Sequence, residues 1–112
     1  MIISINSRKI DEVRTMESNF YHIARMFKAF DDESRLKILS LLRSGEQCAG
    51  DLVSKMNISQ PTLSHHMRIL CDSGVVSSRK DGKWVRYSIN PVGRAHLLTL
   101  LEEMTQPAPR RD

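Results

Sequence analysis

Apolar positions recur at two different periods along this chain, and the changes of period divide it into elements. From Met16 onward Phe20, Ile23, Ala24, Phe27 and Phe30 return at steps of three and four, which predicts a helix with one apolar stripe. Residues 1–15 show no clear period and are expected to be irregular or flexible. Asp31-Asp32 supplies a helix cap, Glu33 adds negative charge to the first turn, and Leu36, Ile38, Leu39, Leu41 and Leu42 drive a short, largely buried helix to Arg43. Gly45 ends it. A third short helix is expected over roughly Cys48–Met56, with Leu52, Val53 and Met56 facing inward.

Asn57-Ile58-Ser59 then forms a tight turn, and Ser59 caps the next helix with Pro61 in its first turn, where a missing N–H costs little. Leu63, Met67 and Leu70 define the buried face of that helix, with His66 and Cys71 on the same inner side. The opposite face carries Gln60, Ser64, His65 and Arg68: donors and acceptors without a catalytic grouping. Two short helices joined by a three-residue turn form a helix-turn-helix, the second being the reader.

After Gly74 the period becomes two. Val75–Lys80 and Lys83–Ile89 flank Asp81-Gly82, a strong hairpin signal. That register sets Val76 opposite Tyr87, Ser78 opposite Val85 and Arg79 opposite Trp84, with Val76, Val85, Tyr87 and Ile89 inward. Trp84 and Arg86 then point outward, near Arg79, Lys80 and Lys83. A basic hairpin directly after a reading helix is the wing of a winged helix-turn-helix. Pro91 opens a last helix bearing Ala95, Leu97, Leu98, Leu100, Leu101 and Met104, more apolar surface than one-sided packing needs. That surplus, with the phenylalanine stripe, argues for a dimer seam. The whole is a mainly α fold of about five helices and two antiparallel strands, dimerising through its N- and C-terminal helices. Its domain spans 16–105, and 106–112 is a tail expected to be disordered.

Charge changes the picture by its distribution. The net charge is +4 with a pI of about 9.4, mild for a polyanion binder. Yet residues 60–90 hold Arg68, Arg79, Lys80, Lys83 and Arg86 against only Asp72 and Asp81, whereas 31–59 is slightly acidic. The excess sits on the reading unit. Two cysteines make no disulfide framework, no apolar run approaches the ~20 residues that span a bilayer, and Met1–Ile5 is too short for a signal peptide. A reducing cytoplasmic setting without membrane partners is expected. No paired carboxylates, nucleophile–base set or phosphate loop is present, so an enzyme is not expected.

The run Ser59-Gln-Pro-Thr-Leu-Ser-His-His-Met-Arg-Ile-Leu70, with Gly-Lys-Trp-Val-Arg-Tyr-Ser at 82–88, resembles the ArsR/SmtB family of bacterial winged helix-turn-helix repressors. Phe30-Asp-Asp-Glu-Ser-Arg-Leu-Lys-Ile-Leu39 is similar to that family's D-x-x-R-L-x-I-L opening. The resemblance covers about residues 20–104 and implies a homodimer that leaves operator DNA when an inducer, often a metal or metalloid ion, binds. It assigns DNA contact to Gln60, Thr62, Ser64 and His65. The wing cations Arg79, Lys80, Lys83 and Arg86 are expected at phosphates, and Arg68 at phosphate or as a plain surface residue. The family's thiol motif is Glu-Leu-Cys-Val-Cys-Asp-Leu; here Glu46-Gln-Cys-Ala-Gly-Asp-Leu52 keeps Cys48 but has Gly50 at the second cysteine. Its other sensor, an Asp-x-His pair completed by a later histidine, is matched only by Arg94-Ala-His96. Cys48, near a helix N-terminus, is a candidate sensor or metal ligand on one reading and structural on the other. The competing function is a dimeric protein-interaction module with incidental DNA affinity.

Overall fold

The computed structural model describes residues 19–109, so the expectations for 1–15, for Met16 and for the last three residues fall outside the described part. Helix α1 occupies 19–27 and tightens into a 3-10 turn at Lys28–Phe30. Then follow α2 (Glu33–Leu42), β1 (Gln47–Cys48), α3 (Ala49–Met56), α4 (Gln60–Asp72), β2 (Val76–Asp81), β3 (Trp84–Ile89) and α5 (Pro91–Thr105). Residues 107–109 have no regular structure.

The caps are local chemistry. Asp32 accepts from the Arg35 N–H at 3.1 Å, Ser59 from the Thr62 N–H at 3.2 Å, and Asn90 from the N–H groups of Val92 and Gly93. Asn57 ends α3 in the left-handed region at φ 53°, which asparagine tolerates better than most side chains. The core collects Ala29, Ile38, Leu42, Leu52, Leu63, Met67, Leu70 and Val76, so every element from the 3-10 turn to β2 contributes except the two-residue β1. Tyr87 and Ile89 pack against it from β3, but Val85 does not reach it. Leu36, expected inside α2, is half exposed, because it lies about 200° around the helix from Ile38.

Three expectations for the sheet are corrected. It has three strands in the order β1-β3-β2, not two. Gln47 pairs with Tyr87 and Cys48 with Arg86, which extends the wing back to the start of α3. The hairpin register is also shifted: Val76 faces Ile89, Ser78 faces Tyr87, Arg79 faces Arg86 and Asp81 faces Trp84. The turn residues are therefore Gly82-Lys83, with positive φ (63°) at the first position alone, as in a type II′ turn. An Asp81-Gly82 turn of type I′ would have forced Asp81 to positive φ as well. The shift moves each partner by two residues, so the inward and outward faces stay as expected.

Helix α5 packs its first turn against the junction of α4 and β2. Gly93 makes this approach possible, since a Cβ there would overlap the Gly74 carbonyl oxygen and stand 2.5 Å from its carbon. The Asn90 N–H donates to the Val75 carbonyl at 2.8 Å at the same junction. Beyond Leu97 the helix carries its apolar side chains outward, with Leu98, Leu101 and Met104 about half exposed. Phe20 on α1 is equally exposed, at 50%.

Candidate nucleic-acid interface

Helix α4 presents its two faces as the spacing requires. Leu63, Met67 and Leu70 are buried to 2% exposure or less, while Gln60, Thr62, Ser64, His65 and Arg68 are all exposed. Burial of one face fixes which way the other points, so the polar row projects from the domain as a set. The Ser59 hydroxyl donates to Thr62 Oγ1 at 2.8 Å, which leaves the Thr62 proton available to an outside acceptor.

Behind this face lies a polar cluster that amphipathic reasoning missed. Arg35, buried at 6% exposure, donates from Nη1 to His66 Nδ1 at 3.2 Å and from Nη2 to the carbonyls of Lys28 and Asp31. The Asp32 carboxylate stands 3.8 Å from His66 Nδ1. Burial holds the His66 pKa below the ordinary histidine value, with Asp32 opposing and Arg35 reinforcing that direction. The inner position expected of His66 is thus correct, but its surroundings are ionic as well as apolar. The sequence signal was an arginine in the first turn of α2, three residues before the inward-facing Ile38.

On the wing, Arg79 and Arg86 sit directly opposite each other, a like-charge pair that is unfavourable by itself. Each has its own carboxylate. Arg79 donates from Nε and Nη2 to Glu46 at 2.8 and 2.7 Å, and Arg86 donates to Asp81 at 3.0 Å. The Arg79 hydrogen bonds hold the Glu46 carboxyl below its usual pKa. Lys80 and Lys83 near the tip have no ion pair among the described residues. The Lys83 ammonium lies 5.4 Å from the ring centroid of the exposed Trp84. The hairpin therefore offers two unpaired lysines at its end and two committed arginines along its side.

Cys48 is half-buried at the end of β1 and occupies the N-cap of α3 without a side-chain capping bond. A Cβ at Gly50 would lie 4.0 Å from its Sγ, so position 50 adjoins the thiol but supplies no donor. Among the described residues no three His, Cys, Asp or Glu side chains group as a metal site. Beside Cys48, the described residues of one protomer thus supply no second ligand of the kind a soft metal ion favours, two to four thiolates or imidazoles. Cys71 packs against the core, and burial, followed by the Asp72 charge, pushes its thiol pKa up, away from reactivity.

Comparison with known proteins adds independent weight. Residues 32–78 match the family model described as bacterial regulatory protein, arsR family. An arsenical resistance operon repressor of Staphylococcus aureus is 46% identical over 72 residues, covering 64% of this chain and 69% of that protein. The transcriptional repressor SdpR of Bacillus subtilis (strain 168) is 45% identical over 65 residues, or 58% and 72% of the two chains. The solution structure of a homodimeric winged helix-turn-helix DNA-binding domain from Mycobacterium bovis shares the fold, with a TM-score of 0.66 over 99% of each chain at 21% identity. These likenesses favour DNA reading over a protein-interaction module. An exposed polar helix backed by an apolar face, a basic hairpin beside it and these relatives agree: the chain belongs to the ArsR family of bacterial regulatory proteins and is a winged helix-turn-helix, DNA-binding transcriptional regulator.

Proposed function

We propose that the protein is a homodimeric repressor whose two α4 helices enter successive major grooves of a pseudo-palindromic operator, about 34 Å apart. The carrying observation is the exposed row Gln60, Thr62, Ser64, His65 and Arg68 on a helix whose other face is fully buried. Gln60 suits adenine edges, Ser64 and Thr62 suit base edges or phosphates, and Arg68 suits a phosphate. Lys80 and Lys83 at the wing tip take flanking phosphates. Arg79 and Arg86, held by Glu46 and Asp81, present their remaining N–H groups along the wing. Lysine and arginine contacts of this kind make affinity fall steeply with salt. The exposed apolar rows on α1 and α5 are where we place the dimer seam, and a neighbour of the same fold is homodimeric.

Release from the operator would follow from a signal coupled to the dimer geometry by about 1–3 kcal/mol. One relative is named for arsenical resistance and another is not named for a metal. With Cys48 as the lone thiol of its motif, no complete soft-metal ligand set stands among the described residues of one protomer. The test uses a duplex that the protein retains from a random-sequence pool. The Ser64→Ala/His65→Ala double variant is expected to lose specific binding in a gel-shift titration while remaining a folded dimer. Undiminished affinity sinks the assignment.

A further inference from the structure

We infer that His66 is a positioning residue of the reading helix: its unprotonated Nδ1 accepts from Arg35, fixes α4 against α2, and releases that hold when protonated, weakening DNA binding. The DNA half of this inference rests on the function proposed above. The structural half stands on geometry alone.

The apolar contacts of Leu63, Met67 and Leu70 set which face of α4 points inward, but such attraction is non-directional and leaves small rotations about the helix axis open. A hydrogen bond is directional. The 3.2 Å contact from Arg35 Nη1 to His66 Nδ1 joins α2 to α4. His66 follows Ser64 and His65 on the DNA-facing turn, so a rotation of α4 permitted at His66 is a rotation of the reading face.

The protonation state of this contact follows from its chemistry. Arg35 is a permanent cation with donors only, so Nδ1 must present a lone pair and the ring proton must sit on Nε2. Arg35 already spends Nη2 on the carbonyls of Lys28 (3.1 Å) and Asp31 (3.4 Å), while its Nε is buried without any partner. The guanidinium is short of acceptors, and losing Nδ1 would orphan a second nitrogen. The ionisable groups around the imidazole are Asp32 at the N-cap of α2, Arg35 within it and His65 on α4, whose ring lies 5.7 Å away. Protonation would set imidazolium N–H against guanidinium N–H at 3.2 Å. The Asp32 carboxylate attracts the new charge from 3.8 Å, but its oxygen already accepts from the Arg35 backbone. Burial of the imidazole, at 12% side-chain exposure, disfavours the charge further. Because the folded-state pKa is depressed, the contact is complete above the ordinary histidine value of about 6.5 and is lost as the pH falls through the lower folded value.

His66→Asn decides the matter, because asparagine Oδ1 takes the place of Nδ1 as an acceptor and does not titrate. Wild type and His66→Asn are compared between about pH 7.5 and about pH 4.5, a window carried well below the ordinary histidine value because the folded value is depressed. Affinity for the pool-selected duplex and the thermal midpoint are measured for each. The other histidines are common to both proteins and cancel in the ratio. We expect wild type to lose roughly tenfold in affinity relative to His66→Asn across the window, the weight of one hydrogen bond to a charged group, with its thermal midpoint falling in parallel. Nitrogen NMR at neutral pH should place the His66 proton on Nε2. Parallel pH profiles for the two proteins, or a proton on Nδ1, overturn the inference. Midpoints that diverge while affinities stay parallel leave His66 structural and overturn its positioning role. If no duplex is retained from the pool, the DNA-binding reading fails, and the midpoint profiles still decide the linkage between His66 and Arg35.

Discussion

Gly93 offers a test in which the usual rule and this fold predict opposite signs. Replacing a helical glycine by alanine ordinarily stabilises by up to about 1 kcal/mol, because alanine gives up less backbone freedom. Here the new Cβ would stand 2.5 Å from the Gly74 carbonyl carbon and 3.3 Å from the Val75 nitrogen. Comfortable separation for carbon atoms is about 3.5–4.0 Å, so α5 must withdraw by at least about 1 Å to clear the carbon and further to clear the oxygen it overlaps. Nothing nearby gives way easily: the opposing atoms are backbone, between Ser73 at 2% and Val75 at 5% exposure. Overpacking of this kind costs about 1–3 kcal/mol. The withdrawal also strains the bond from the Asn90 N–H to the Val75 carbonyl, worth about 1 kcal/mol. Set against the propensity gain, Gly93→Ala should lose about 2 kcal/mol net, or about 8 °C in thermal midpoint for a chain of this size. Gly50→Ala is the internal control, since a Cβ there meets only Cys48 Sγ at 4.0 Å. It should be neutral or raise the midpoint. Both are followed by thermal unfolding at one fixed protein concentration, because the homodimer proposed above would make the midpoint concentration-dependent. A Gly93→Ala midpoint equal to or above wild type would refute the close approach of α5 to Gly74.

Two further outcomes follow from the caps and the wing. Ser59→Ala removes the acceptor for the Thr62 N–H and the donor to its hydroxyl, and should lower stability by about 1 kcal/mol in urea unfolding. An unchanged midpoint would show that the turn, not the side chain, starts α4. Arg79→Gln should return the Glu46 carboxyl to the usual carboxylate range in a carbon NMR titration, since the Arg79 hydrogen bonds are the main cause of its lowering. With the folded pKa depressed, whatever stability the pair gives is present above about pH 4–5 and is lost as the pH falls through the lower folded value. A Glu46 midpoint indifferent to the substitution would mean that the ion pair does not persist in solution.

Elements with a strong period or an unambiguous cap were legible from residues alone. The stripe Leu63, Met67, Leu70 forced one face of α4 inward, so the exposure of Gln60, Ser64 and His65 followed without knowing any partner element. The faces of the hairpin survived an error in its register, because alternation constrains parity more tightly than it constrains pairing. The turn itself was misplaced, since Asp-Gly and Gly-Lys differ only in which residue accepts positive φ. Strand β1 was invisible: two residues have no period, and Gln47 and Cys48 become a strand only because β3 has an edge to offer.

Local patterning by itself therefore determined the order of helices, the exposed polar face of α4 and the basic character of the wing. Those properties depend on short-range geometry and on which side chains water excludes. Tertiary structure alone decided which cations stay unpaired. Arg79 and Arg86 looked like Lys80 and Lys83 along the chain, and only folding brought Glu46, thirty-three residues from Arg79, within 2.7 Å of its guanidinium. The same holds for His66, whose hydrogen-bond partner is an arginine thirty-one residues away. Ion pairs and directed hydrogen bonds act over a few ångströms in space and are indifferent to separation in sequence, so no period announces them.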